Sequence, residues 1–186
     1  MSLNNPEMMS FLKLRKYIGV LGFFLPILII CRVGLLSSIS YSYYTPAHDI
    51  FVGSLYLIGG FFIGDKGYDL KDTIANRICG ACALLVANFP CNGQYAWVHY
   101  VSAFILFSML GYISCFLFTK SAGAYNYMKG KRNAVYSFCG KLIFMNVLII
   151  AAFSYSGLPI FIPESLCLFP FGIAWIVKGK VLLTDK

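Results

Sequence analysis

The feature that most constrains this chain is the alternation of long apolar blocks with short polar joints. A helix rises 1.5 Å per residue, so about 20 apolar residues cross the roughly 30 Å hydrocarbon core of a bilayer. Six blocks reach or approach that length: 17–36, 46–64, 74–90, 99–119, 135–156 and 158–177. The joints carry turn chemistry, as in Asp65-Lys66-Gly67, Pro90-Cys91-Asn92-Gly93 and Ser156-Gly157. Charged residues make up 12 % of the chain and hydrophobic ones 59 %. Soluble domains carry about 25 % charge, so an ordinary water-soluble fold is excluded. Disorder is excluded too, because it requires low hydrophobicity. The expected fold is all-α, a polytopic bundle of six transmembrane helices. It comprises a short tail over 1–16, a membrane domain over 17–180 and a second tail over 181–186.

Lys and Arg set the orientation. They cluster before the first block (Lys13, Arg15, Lys16), around the second joint (Lys66, Lys71, Arg77), around the fourth (Lys120, Lys129, Lys131, Arg132, Lys141) and after the sixth (Lys178, Lys180, Lys186). The joints 37–49, 91–98 and 154–157 contain neither. With six spans every cluster falls on one side, which the positive-inside rule makes cytoplasmic, together with both termini. The expected location is an integral membrane position, the bacterial inner membrane. The same rule accounts for the net charge of +8, so no nucleic-acid partner is expected. Membrane lipids are the expected partners, and homo-oligomerisation stays open. The basic start followed by an apolar run resembles a signal peptide, but the run exceeds a usual h-region and reads as an uncleaved first span.

Length arithmetic places polar residues inside the membrane. Ser165 to Val177 makes only about 20 Å of helix, so the sixth span must begin near Leu158, and this submerges Glu164. The second span likewise draws His48 and Asp49 to the outer interface. Arg32, Asn88 and His99 reach the same depth. Buried charges in a bilayer pair or line a cavity. The expectation is an outward-facing polar pocket built from Arg32, His48, Asp49, Asn88, His99 and Glu164. At mid-depth on the basic side no comparable set is expected, since Lys141 and Lys178 can snorkel.

Two readings of this layer compete. In one it is structural, with Arg32 paired to Asp49 or Glu164, His48 and His99 at the wet interface, and Asn88 bonded to a neighbouring helix. In the other it is a site. His48, Asp49, His99 and Glu164 are a donor set for Zn²⁺ with a water position left open, and a metal-bound water hydrolyses lipid esters or amides. H-E-x-x-H, G-x-S-x-G, G-x-G-x-x-G and P-loop motifs are absent. Ser37, Ser40 and Ser42 read as turn formers. Cys79 and Cys82 form a C-x-x-C within an apolar span, where small residues let helices pack closely. One disulfide among Cys31, Cys91 and Cys167 is open. A carrier or channel lacks support, because Pro26 and Pro170 show no internal symmetry.

Several segments together carry a resemblance: Tyr43-Tyr44-Thr45, His48-Asp49-Ile50-Phe51-Val52-Gly53, Lys66-Gly67-Tyr68-Asp69, Ala87-Asn88-Phe89-Pro90, His99-Tyr100-Val101-Ser102-Ala103, Glu164, Phe171-Gly172-Ile173-Ala174-Trp175 and Lys178-Gly179. The set resembles small uncharacterised bacterial six-pass membrane proteins. More remotely it resembles the DRAM/Frag/Sfk family, which implies a six-pass fold and a role in autophagy, lipid-anchor remodelling or membrane lipid balance. Alkaline ceramidases offer a second comparison, with a Ser, an Asp and three His. This chain has only two His. The expected function is binding of a lipid or small amphiphile in the outer pocket, without catalysis or cofactor. The alternative is a zinc-dependent lipid hydrolase.

Overall fold

Helix formers and apolar residues dominate each block, and the chain folds accordingly. A computed structural model describes residues 6–67, 69–120 and 127–179. The tail over 181–186, with Lys180 and Tyr68, lies outside the described residues. The helices are α1 (Pro6–Val33), α2 (His48–Gly64), α3 (Leu70–Asn88), α4 (Ala96–Tyr112), α5 (Tyr127–Tyr155) and α6 (Phe161–Lys178). A 3₁₀ turn, Ser40–Tyr44, lies between α1 and α2, and one π-helical turn, Ile113–Leu117, extends α4. No strand occurs among the described residues.

Local chemistry sets the ends. α1 begins at Pro6 rather than near Tyr17, and it stops where Gly34 adopts φ +78° and donates its N–H to Ile30 O at 2.8 Å. That left-handed conformation suits glycine at a helix C-terminus. α3 starts at Asp69, whose carboxylate accepts the Asp72 N–H at 2.9 Å. Such an N-cap satisfies a donor that the helix leaves orphaned.

Each helix packs on its neighbours in sequence, and α6 returns to α1, so the six form a closed ring. Three crossings are made by glycine. A Cβ on Gly172 of α6 would sit 2.6 Å from Gly19 O of α1. One on Gly80 of α3 would sit 2.7 Å from Gly59 O of α2, and one on Gly140 of α5 2.7 Å from Gly111 O of α4. Backbones this close need small residues, and dispersion then supplies the association that lipid-facing apolar surface cannot. Inside the ring, Trp175 packs on Phe62, Phe118 and Phe171 at centroid distances of 5.3, 4.4 and 4.6 Å.

The outside is apolar as well. Phe104, Phe116, Phe138 and Leu148 are exposed along the sides of the bundle. Among the described residues, four stretches are long and apolar enough to cross a membrane: Leu12–Val33, Ala96–Leu117, Tyr127–Tyr155 and Phe161–Lys178. α2 is apolar but shorter, and α3 carries Lys71, Asp72 and Arg77. None of the seven cysteines forms a disulfide. Cys91 instead contacts Ser40 O at 3.7 Å, and Cys167 contacts Ile143 O at 3.8 Å.

The glycine crossings separate by sign from glycines in open space. Gly172→Ala is expected to destabilise the protein by about 1–3 kcal/mol through overpacking. Gly60→Ala, which meets nothing within 4 Å, is expected to stabilise by up to about 1 kcal/mol through helix propensity. Denaturation of both variants in one mild detergent checks the pair.

Candidate functional site

Three loops close one end of the bundle: 34–47, 89–95 and 156–160. Ser37 O accepts the N–H groups of Ile160 and Phe161 at 2.7 and 3.1 Å, which stitches the first loop to the start of α6. The Ile39 N–H donates to Glu164 Oε2 at 2.5 Å. Thr45 closes the following turn, donating to Ser42 O at 3.0 Å and accepting the Ala47 N–H at 3.2 Å. The Asn92 N–H of the middle loop donates to Tyr44 OH of the first at 3.1 Å, and Tyr100 OH donates to Cys91 O at 2.8 Å.

Beneath these loops a cavity of about 560 Å³ opens between α4 and α5. Its walls are apolar, from Ala103, Phe104 and Phe107 on α4 and Val147, Ile150 and Ala151 on α5. Its closed end is polar, with Ser37, Ser38, Ser40, His99 and Glu164. Volumes of about 300–1,000 Å³ with mostly apolar walls and few polar groups are usual for small-molecule sites. No Lys or Arg is among the residues that line it. Ser40, Ala103, Phe107 and Glu164 also border a second void of about 40 Å³ at the bundle's centre. Glu164 therefore stands between groove and core, 5 % exposed.

His99 is 1 % exposed and held at both nitrogens. Nδ1 lies 2.7 Å from Phe89 O, which can only accept, so Nδ1 carries the proton. In the neutral ring Nε2 is then the acceptor, and Ser40 Oγ donates to it across 2.8 Å.

Of the six residues expected to converge, His99 and Glu164 share this cavity and the other four lie elsewhere. Arg32 is exposed in the last turn of α1, where a positive charge suits the helix C-terminus. It pairs with neither Asp49 nor Glu164; the backbone N–H of Ile39 takes that place on Glu164. His48 opens α2, with its ring against Tyr43 at 4.8 Å and Nδ1 3.0 Å from Asp49 Oδ1. Asp49 is fully exposed there, an acid in the first turn of a helix. The helix starts at His48 because the 3₁₀ turn and Thr45 occupy the preceding residues, so these two side chains are not drawn inward. Asn88 faces α2, accepting from Tyr56 OH and donating to Leu84 O, both at 2.7 Å. The set His48, Asp49, His99 and Glu164 is thus divided, and the described residues contain no group of three His, Cys, Asp or Glu able to hold a metal.

A second polar cluster lies at the opposite, basic end, around the α2–α3 joint and the end of α4. Arg15 Nη2 donates to Asp65 Oδ1 and Oδ2 at 3.1 and 3.2 Å, and Asn76 donates to Asp65 O at 3.1 Å. Lys120 bridges Asp69, at 3.0 Å, and the buried Asp72. Lys178 does not snorkel. It donates to Phe118 O at 3.2 Å, with the Phe118 ring 4.9 Å away. The sequence hid this cluster because its members come from α1, the α2–α3 joint, the end of α4 and α6. Burial pushes the Asp65 carboxyl above its usual value against the pull of Arg15. The Asp72 N–H and then Lys120 hold Asp69 below its usual value.

No protein-family model, curated protein or solved structure matches the chain.

Two predictions follow from this geometry. Glu164→Ala leaves the buried Ile39 N–H unsatisfied and is expected to lower stability by about 1–3 kcal/mol. Glu164→Gln keeps an acceptor and should lose less than half of that. Adding Arg32→Ala should be additive with either, since the residues share no partner. Thermal unfolding of the singles and doubles checks this. Asp69 contributes in the other direction of pH. Its folded-state value is depressed, so its stabilisation is complete above the unfolded value of 3.8 and is lost as pH falls through the folded one. Asp69→Ala should therefore destabilise at neutral pH and converge on the parent chain in strong acid, as read by unfolding midpoints across pH.

Proposed function

We propose that this chain is a six-span membrane protein that holds a lipid-like amphiphile in the groove between α4 and α5. The observation that carries the reading is the cavity's polarity: apolar walls continuous with the lipid-facing side, and one hydroxyl-rich end closed by loops. An acyl chain lying along Phe104, Phe107, Val147 and Ile150 would bring its head group against Ser40, His99 and Glu164. Those groups define the head group. Glu164 is acidic, and the Ser40 hydroxyl has spent its proton on His99. The end presents hydroxyls and a carboxyl group and no cation, so it suits a neutral or positive hydrogen-bonding head and offers an anionic one no counter-charge.

The topology in this reading puts the basic end in the cytoplasm, both termini with it, and the groove's head end outside. α2 and α3 would cross as the two remaining spans. α2 is about 25 Å long, and a short span is accommodated by local thinning of the bilayer. In a Cys31→Ser background, a membrane-impermeant maleimide added to intact cells should label Gln94→Cys and spare Lys131→Cys. The reverse pattern would invert the orientation.

Binding is tested with protein in lipid nanodiscs and three twelve-carbon probes: the ether 1-O-dodecylglycerol, dodecylamine and laurate. Dodecylglycerol and dodecylamine should remain bound in native mass spectra, with laurate at least about tenfold weaker. Ala151→Trp, which fills the groove from α5, should remove all three without lowering the unfolding temperature. Equal retention by the parent chain and Ala151→Trp would mean partition into the bilayer and would end the proposal.

A further inference from the structure

The polar end of the groove holds more than a binding surface. Ser40 and His99 come from segments far apart in sequence, and the loop stitching described above brings them to 2.8 Å. We propose that Ser40 is the nucleophile and His99 the general base of an acyl-transfer site that cleaves ester amphiphiles seated in the groove. This rests on the amphiphile-binding reading and adds chemistry to it.

Three observations carry the proposal. The first is the relay geometry. A nucleophile, a base within hydrogen-bond reach and a third group orienting the base are the recurring signature of an activated hydroxyl. Here Phe89 O, 2.7 Å from Nδ1, does the orienting that a carboxylate does in Ser-His-Asp triads. It fixes the tautomer that leaves the Nε2 lone pair aimed at Ser40 Oγ. The second is placement. Ser40 and His99 both line the cavity, at the boundary between its apolar walls and its polar end. An ester linkage sits at that same boundary in an acyl amphiphile. The third is support. Glu164 holds the Ile39 N–H one residue before the nucleophile, and Cys91 Sγ contacts Ser40 O at 3.7 Å, so the 3₁₀ turn is pinned from two sides. Glu164 is a positioning residue here and takes no part in proton transfer.

The chemistry balances with water as the only co-reactant. Ser40 Oγ bonds to the acyl carbon while its proton passes to His99 Nε2. The ester C–O bond breaks, and the leaving alkoxide takes that proton as an alcohol. Water then attacks the acyl-serine, giving a proton to Nε2, and the released Ser40 oxygen recovers it as the fatty acid departs. Ser38 lines the same wall and accepts the Tyr41 N–H at 3.0 Å, so its own proton is available to the oxyanion that forms in each step.

The test uses the full chain in nanodiscs, with a dodecyl fluorophosphonate as the covalent probe and p-nitrophenyl laurate as substrate. The probe should add to Ser40, located by peptide mass spectrometry. Turnover should fall at least about 100-fold in Ser40→Ala and in His99→Gln. Ser42→Ala should keep both labelling and turnover. Dodecylglycerol binding to Ser40→Ala reports that the variant is folded with its groove intact. If His99→Gln fails to fold, labelling of the parent chain and its prevention by excess dodecylglycerol still decide the matter. Dodecylglycerol bound without any adduct at Ser40 would overturn the acyl-transfer proposal and leave the binding reading standing. Loss of both would overturn both. An adduct at another serine, or turnover surviving in Ser40→Ala, would also overturn it.

Discussion

The hydrogen bond from the Ile39 N–H to Glu164 Oε2 is the contact on which the polar end of this molecule depends. The chain between α1 and α2 has to turn back over the bundle, and its backbone donors are withdrawn from water. A buried donor without a partner is destabilising, so the loop needs an acceptor at a fixed place. Glu164 supplies it from the first turn of α6, where a carboxylate also faces the positive end of the helix dipole. One side chain therefore satisfies the loop and sets its height over the core. It also leaves the next residue, Ser40, opposite His99.

The two ends of the bundle solve the burial of polar groups in different ways. At the basic end, opposite charges meet directly: Arg15 with Asp65, and Lys120 with Asp69 and Asp72. Water reaches part of that cluster, since Asp69 is half exposed, and the ion pairs tie α1 to the end of α2 and α3 to the end of α4. At the other end the buried contacts run from N–H or O–H to oxygen and nitrogen acceptors, with Glu164 as the one carboxyl group among the residues that line the cavity. An end locked by ion pairs holds its helices together, and an end held by single hydrogen bonds leaves room between them. The cavity lies at the second.

Much of the architecture was legible because apolar blocks of bilayer length admit few alternatives. The burial of Glu164 was legible for the same reason: a sixth helix long enough to matter must contain it. What the sequence concealed was pairing. Arg32, Asp49 and Asn88 reach the right depth, but depth says nothing about which way a side chain turns, and each found a local role at a helix end or on an outer face. His48 looked equivalent to His99, yet only His99 points at a loop carbonyl and a loop hydroxyl. Ser40 read as a turn former, and it is one. Its second contact depends on a residue 59 positions away, which no local pattern reports.

The groove itself follows from where α4 and α5 are allowed to touch. Gly111 and Gly140 bring the two backbones together, with Cys115 Sγ filling the space beside them. The π-helical turn starts two residues after Gly111, and its wider loop lets Cys115 reach Ser137 O at 3.5 Å. Towards the other end the facing residues are Phe107, Phe104 and Ala103 on α4 and Val147, Ile150 and Ala151 on α5. No glycine of either helix lines this part, so the backbones lack the close path that Gly111 and Gly140 open, and the cavity lies between them. A single small-to-large change near the wide end could fill the groove without disturbing the crossing that holds the pair together.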